Sequence, residues 1–182
     1  VKLYEKINKS YSKLMGQKTL QIKTSRQANK VNGGSTVKIS SIEEATNILN
    51  KYVPKVSTYS GDGMTLDRMW PLLELAGNPH KKLKAIHIAG TSGKTSTSYY
   101  IAAILKQSGK TVGLTVSPHV DSITERLQIN GKPVSDNLFC TELGIFLDLV
   151  GDDNQTPSYF ELLVVFIFWF FERAKVDYVV VE

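Results

Sequence analysis

The residues best placed by type and spacing to do chemistry are Gly90-Thr91-Ser92-Gly93-Lys94-Thr95-Ser96. They follow an apolar stretch, Ala85-Ile86-His87-Ile88-Ala89, and open a segment with helical spacing. Glycines let backbone N–H groups curl around an anion. A helix N-terminus adds positive partial charge, and a lysine at the end of the loop reaches the outer phosphates of a nucleotide. The chemistry is phosphate binding, with Lys94 as the catalytic cation. The match is to G-x-x-G-K-T, a variant of the longer G-x-x-x-x-G-K-[ST] motif, because Ile88 stands where that motif has its first glycine. The plain alternative is a strand–helix turn whose lysine points to solvent. The order of strand, glycines, lysine and hydroxyls favours the phosphate.

Two more oxygen-bearing side chains stand at strand ends. Ser117 follows the apolar residues 111–116, and Glu182 follows 176–181. In an open parallel sheet, ligands bind beyond the carboxyl ends of the strands. A hydroxyl and a carboxylate there are hard oxygen donors suited to Mg²⁺. Taken singly, each also reads as an ordinary Ser-Pro turn or a solvated strand end. His87 alternates with apolar neighbours and reads as a hydrogen-bonded core histidine. His80 lies in a polar loop, Cys140 reads as a packing residue, and the aromatic run 166–171 reads as core rather than as a cofactor box.

The elements that must position these groups alternate. Residues 84–89, 111–116 and 176–181 read as strands. Helices are expected over 42–49 behind Ser41, over 65–76 up to the stop Gly77-Asn78-Pro79, over 94–107 up to Gly109, over 138–150 behind Ser135, and over 159–174. Asn130-Gly131 predicts a tight hairpin between 127–129 and 132–134, and Gly61-Asp62-Gly63 a turn. Alternating strands and helices predict an α/β fold, a mostly parallel sheet with helices on both faces.

Composition narrows the function classes. In 182 residues there is one cysteine, so no internal disulfide forms, and a reducing, cytoplasmic setting is the expectation. The longest apolar run, residues 162–171, falls short of the ~18 residues of a membrane span, and residues 1–36 hold no apolar stretch that would read as a secretory signal. Residues 1–39 carry nine basic groups against one acidic, while the remainder carries thirteen against sixteen. The positive charge therefore sits in an N-terminal extension, and the mildly acidic body argues against nucleic acid as a partner. Residues 1–40 are expected to be loosely ordered. The start at Val1 and the stop at Glu182 behind an apolar strand read as the limits of a fragment.

Further blocks complete the pattern: Leu66-Asp67-Arg68-Met69, Leu75-Ala76-Gly77-Asn78-Pro79, Thr115-Val116-Ser117-Pro118-His119-Val120, the stretch from Glu125 to Ser135 (ERLQINGKPVS), Tyr159-Phe160-Glu161, and Asp177 to Glu182 (DYVVVE). With the phosphate loop, these blocks resemble the folylpolyglutamate synthase / dihydrofolate synthase family, a branch of the Mur ligase superfamily. The resemblance covers residues 41–182 and implies the N-terminal part of a P-loop NTPase-like ATP-binding domain of the Mur ligase central-domain type. The rest of that domain and a glutamate-ligase domain are expected beyond Glu182. It implies ATP and Mg²⁺ as cofactors, residues 90–96 as the phosphate loop, and Ser117 and Glu182 as magnesium ligands. His119 falls in a loop that helps form the family's folate site, and Arg126 and Glu161 fall at substrate-binding motif positions. Two residues depart from the family pattern: Ser92 stands where asparagine is common, and Thr95, as in the Mur branch, where glycine is.

The implied function is ATP-dependent ligation of L-glutamate to folate or dihydropteroate by way of an acyl phosphate. The partners are small molecules, the chain is expected to be a monomer with no membrane association, and the fragment alone is expected to give no turnover. A Mur-type cell-wall peptide ligase, a nucleotide-hydrolysing switch or motor, and a non-catalytic binding module are the competing readings.

Overall fold

Ser41 begins the first helix by accepting the Glu44 N–H on its hydroxyl at 3.1 Å, which satisfies one of the donors a helix start leaves open. That helix, α1 (Ile42–Asn50), buries Ala45 and Leu49. The computed structural model describes residues 37–53, 66–151 and 157–182, all within one compact unit, residues 36–182. The turn expected at 61–63, and the N-terminal extension up to residue 36, lie outside the described residues. Residues 37–40 belong to the packed unit: Ile39 is buried, and the Val37 N–H donates to Asp148 Oδ1 at 3.0 Å.

The next helix, α2 (Met69–Leu75), begins later than the apolar spacing suggests. Pro71 has no N–H and fits a helix only in its first turn, so the helix starts two residues before it. Leu66 and Trp70 are exposed, while Leu72, Leu73 and Ala76 are buried. The stop is as expected. The Asn78 N–H closes on the Leu73 carbonyl at 2.7 Å, with Gly77 and Asn78 at positive φ.

Among the described residues five strands form one sheet: β1 (Ala85–His87), β2 (Val112–Thr115), β3 (Gln128–Ile129), β4 (Lys132–Pro133) and β5 (Tyr178–Val181), in the order β1-β5-β2-β3-β4. The first three in that order are parallel; β3 and β4 add antiparallel through the hairpin, whose Asn130 and Gly131 both take positive φ. Asn130 fixes the hairpin to β2 twice. Its N–H donates to the Val112 carbonyl at 2.8 Å and its Oδ1 accepts the Val112 N–H at 2.9 Å.

Successive side chains on the central strands go to opposite faces. Val112, Leu114, Val116 and Val180 pack against Ala102, Ile101 and Leu105 of α3 (Lys94–Gln107). On the other face Val179 joins the larger core with α4 (Asp136–Val150) and α5 (Tyr159–Ala174). Gly113 lets α5 approach, since a Cβ there would lie 2.8 Å from ring atoms of Phe171. Aromatic pairs fill this core: Phe139 and Phe146 each lie 5.4 Å from Phe166, and Trp169 lies 5.5 Å from Phe146. Such pairs contribute about 0.5–1.5 kcal/mol each beyond simple burial. This is the α/β architecture expected from sequence. No helix of the described residues is long and apolar enough to cross a membrane.

Candidate functional site

Strand register brings the site together. His87 pairs with Val181, and Val181 with Thr115, so the carboxyl ends of β1, β5 and β2 are level. From that one edge β1 leads into residues 90–93, β5 into Glu182 and β2 into Ser117. The Glu182 N–H donates to the Thr115 carbonyl at 3.1 Å, which carries the ladder one residue past the strand.

Gly90 and Gly93 both take positive φ, and Gly93 caps α3 with no side chain over the helix start. Among the described residues none accepts a hydrogen bond from the N–H groups of residues 91–96. Six donors in series at the positive end of a 14-residue helix form an anion cradle. Lys94 is half-buried and its neighbours in the loop are exposed.

Thr95 Oγ1 donates to Glu182 Oε1 at 3.0 Å. The second carboxylate oxygen, Glu182 Oε2, is buried and has no hydrogen-bond partner. A buried carboxylate oxygen left unpaired is costly unless a cation meets it. The described residues include no cluster of three or more His, Cys, Asp and Glu that would make a protein-only metal cage. Mg²⁺ does not require one, because it is usually held by one or two oxygen side chains together with substrate phosphates. The donor set of Glu182, Thr95 and Ser117 fits that ion.

Ser117 and Glu182 open on a cavity of about 220 Å³. His87 and Arg126 complete its polar side, and Phe160, Leu163, Val164, Ile167 and Phe168 of α5 form its apolar wall. Those five positions are one helical stripe (i, i+3, i+4, i+7, i+8). Two sequence readings change here. His87 is exposed and lines the cavity instead of sitting in the core, because β1 is the edge strand of the described sheet. The run 166–171 is core at Phe166, Trp169, Phe170 and Phe171, while Ile167 and Phe168 also face the cavity. The stripe spacing was the signal that sequence reading missed.

The segment from Ser117 to Arg126 folds back on itself. Arg126 Nε donates to His119 Nδ1 at 2.8 Å. Burial and the adjacent guanidinium push the imidazole pKa down, opposed by the Glu125 carboxylate. Glu125 accepts the N–H groups of Val120 and Asp121 at 2.9 Å and of Ser122 at 3.0 Å. The backbone donors of Val120, Ser122 and Asp121 hold its pKa down to about 2. Glu161 lies elsewhere: its Oε2 accepts the Ser158 N–H at 2.6 Å, closing a capping box, and its Oε1 meets Arg68 at 3.1 Å. The fold thus gathers residues 90–96, Ser117, Glu182 and Arg126 at one strand edge and ties His119 to Arg126, while Glu161 caps α5.

No family model matches the chain. The dihydrofolate synthase/folylpolyglutamate synthase of Bacillus subtilis is 38% identical over 122 residues, covering 64% of this chain and 28% of that protein. A structure of Mycobacterium tuberculosis folylpolyglutamate synthase complexed with ADP matches with a TM-score of 0.66 at 31% identity, over 78% of this chain and 31% of that one. Over most of its length the chain is thus similar to proteins named folylpolyglutamate synthase and dihydrofolate synthase. A folylpolyglutamate synthase structure with AMPPCP and folate matches at TM-score 0.69 and 26% identity, over 79% of this chain and 35% of that one. The chain therefore spans about a third or less of the length of these proteins.

Proposed function

We propose that the protein to which this chain belongs is an ATP-dependent amide ligase that joins L-glutamate to folate or dihydropteroate, and that residues 41–182 are the N-terminal part of its ATP-binding domain. The observation that carries this reading is the contact of the phosphate loop with the strand-end carboxylate. Thr95 of the loop is hydrogen-bonded to Glu182, whose other oxygen is buried and unpaired beside the Ser117 cavity. A free carboxylate is a poor acyl donor, since oxide does not leave. Its oxygen attacks the γ-phosphorus of ATP, ADP departs, and an acyl phosphate results. The glutamate amine then attacks the acyl carbon, and phosphate leaves with the former carboxylate oxygen.

In this scheme the N–H groups of residues 91–96 hold the β-phosphate, and Lys94 offsets charge on the transferring phosphoryl group. Glu182, Thr95 and Ser117 would hold Mg²⁺, which supplies charge neutralisation at the phosphates. Arg126 faces the anionic end of the acceptor in the cavity. The apolar stripe of α5 suits a flat, largely apolar molecule. The similar structures with ADP, and with AMPPCP and folate, support this assignment. On this reading the protein acts on small molecules, as a monomer in the cytoplasm.

Oxygen transfer tests the scheme. With the complete protein and an acceptor labelled with ¹⁸O in its carboxylate, the inorganic phosphate formed should carry one ¹⁸O per amide made. Phosphate free of label, its oxygen coming from water, would rule out the acyl phosphate.

A further inference from the structure

Resting on the ligase reading, we propose that Glu125 is a positioning residue that aims Arg126 into the cavity by holding the Ser117–Arg126 loop as a closed arch. Three consecutive backbone donors, those of Val120, Asp121 and Ser122, end on its two carboxylate oxygens at 2.9–3.0 Å. Only a carboxylate has two acceptor oxygens, and no donor of its own, to meet three N–H groups at once. Ser122 returns the contact, so that Glu125 also closes the capping box of the single 3-10 turn Ile123–Arg126. Arg126 is the last residue of that turn, and its Nε is fixed on His119 Nδ1 at 2.8 Å from the opposite arm of the arch.

The guanidinium is thereby held at both ends of its own loop. Its backbone is set by the turn that Glu125 caps, and its Nε by a ring three residues from the N–H of Ser122. The same residue lines the cavity with Ser117 and Glu182. Arg126 is the cationic side chain among the residues lining that cavity, and a guanidinium suits a carboxylate or the acyl phosphate made from it. Glu125 does not line the cavity, and its effect on substrate passes through Arg126.

A double-mutant cycle in the complete protein separates this role from general support of the fold. The variants are Glu125→Gln, Glu125→Ala, Arg126→Ala and the pairs, assayed for glutamate addition to tetrahydrofolate or dihydropteroate. Either Glu125 variant should raise the acceptor KM about tenfold, within the range of coupling between residues of one network. The ATP KM should stay within about twofold of wild type, since the arch does not touch the phosphate loop. Added to Arg126→Ala, neither Glu125 change should raise the acceptor KM further. Amide exchange at Val120, Asp121 and Ser122 should quicken in both Glu125 variants, which reads the arch directly. Additive effects in the cycle, equal rises in both KM values, or unchanged kinetics in both Glu125 variants would overturn the proposal with the ligase reading intact. A wild-type protein that adds no glutamate overturns the ligase reading and this inference with it.

Discussion

Thr95 and Glu182 lie 87 positions apart in the chain and meet at 3.0 Å, and that contact shows what sequence can and cannot display. Lys94 and its glycines were legible because everything the motif needs is local: a turn, a helix start and a cation in consecutive positions. Glu182 was legible only as a strand-end carboxylate, and its bond to Thr95 depends on a sheet order that no local pattern encodes. Thr95→Val removes the hydroxyl from Glu182 while keeping the shape. It should raise the Mg²⁺ concentration needed for half-maximal activity severalfold, whereas Thr95→Ser should not, in an ATP assay titrated with the metal. Glu125 was harder to read, because its partners are backbone N–H groups that have no side-chain signature. The S-x-x-E spacing of Ser122 and Glu125 was its one visible trace. Its depressed pKa gives a pH dependence with a definite sign. The arch is fully stabilised above the ordinary carboxylate value of 4.5 and loses that stabilisation as pH falls toward about 2. After correction for intrinsic rates, amide exchange at residues 120–122 should lose protection below about pH 4 as Glu125 takes up its proton. Glu125→Gln should abolish that acid step.

At the level of elements, helix ends with capping or stop residues were read closely: α3 and α5 match the expected spans residue for residue. The exception, α2, shows why apolar spacing alone misleads. Leu66, Met69 and Trp70 fall at helical intervals, yet Pro71 bars a helix from starting a full turn earlier. The α5 helix shows the opposite limit. Its sequence is apolar nearly all round, which hides that one stripe, partly core itself, also walls the cavity. Gly113 is where this helix meets the sheet, and a methyl there would strike the Phe171 ring at 2.8 Å. Gly113→Ala should destabilise the complete protein by about 1–3 kcal/mol, the usual cost of overpacking, measured by denaturant unfolding. Phe171→Leu in the same chain should recover part of the loss. No recovery, or no loss, would mean that α5 does not press on the sheet here.

Across the molecule, three parallel strands with a helix layer on each face set the phosphate loop, Ser117 and Glu182 along one edge. The antiparallel hairpin beside β2 was foreseen from Asn130-Gly131, though its place in the sheet was not, since register on β2 comes from the two Asn130 bonds to Val112. The mildly acidic body and the mixed polar and apolar cavity agree with a small anionic acceptor rather than a polyanion. The most direct test of this account is ATP- and Mg²⁺-dependent incorporation of labelled glutamate by the complete protein, with tetrahydrofolate, dihydropteroate or a nucleotide-linked muramyl peptide as acceptor. Incorporation into a pterin acceptor is expected, falling by at least about 10²-fold in Lys94→Ala as a transition-state charge contact is lost. Incorporation into the muramyl acceptor alone, or steady ATP hydrolysis with no amide formed, would contradict it.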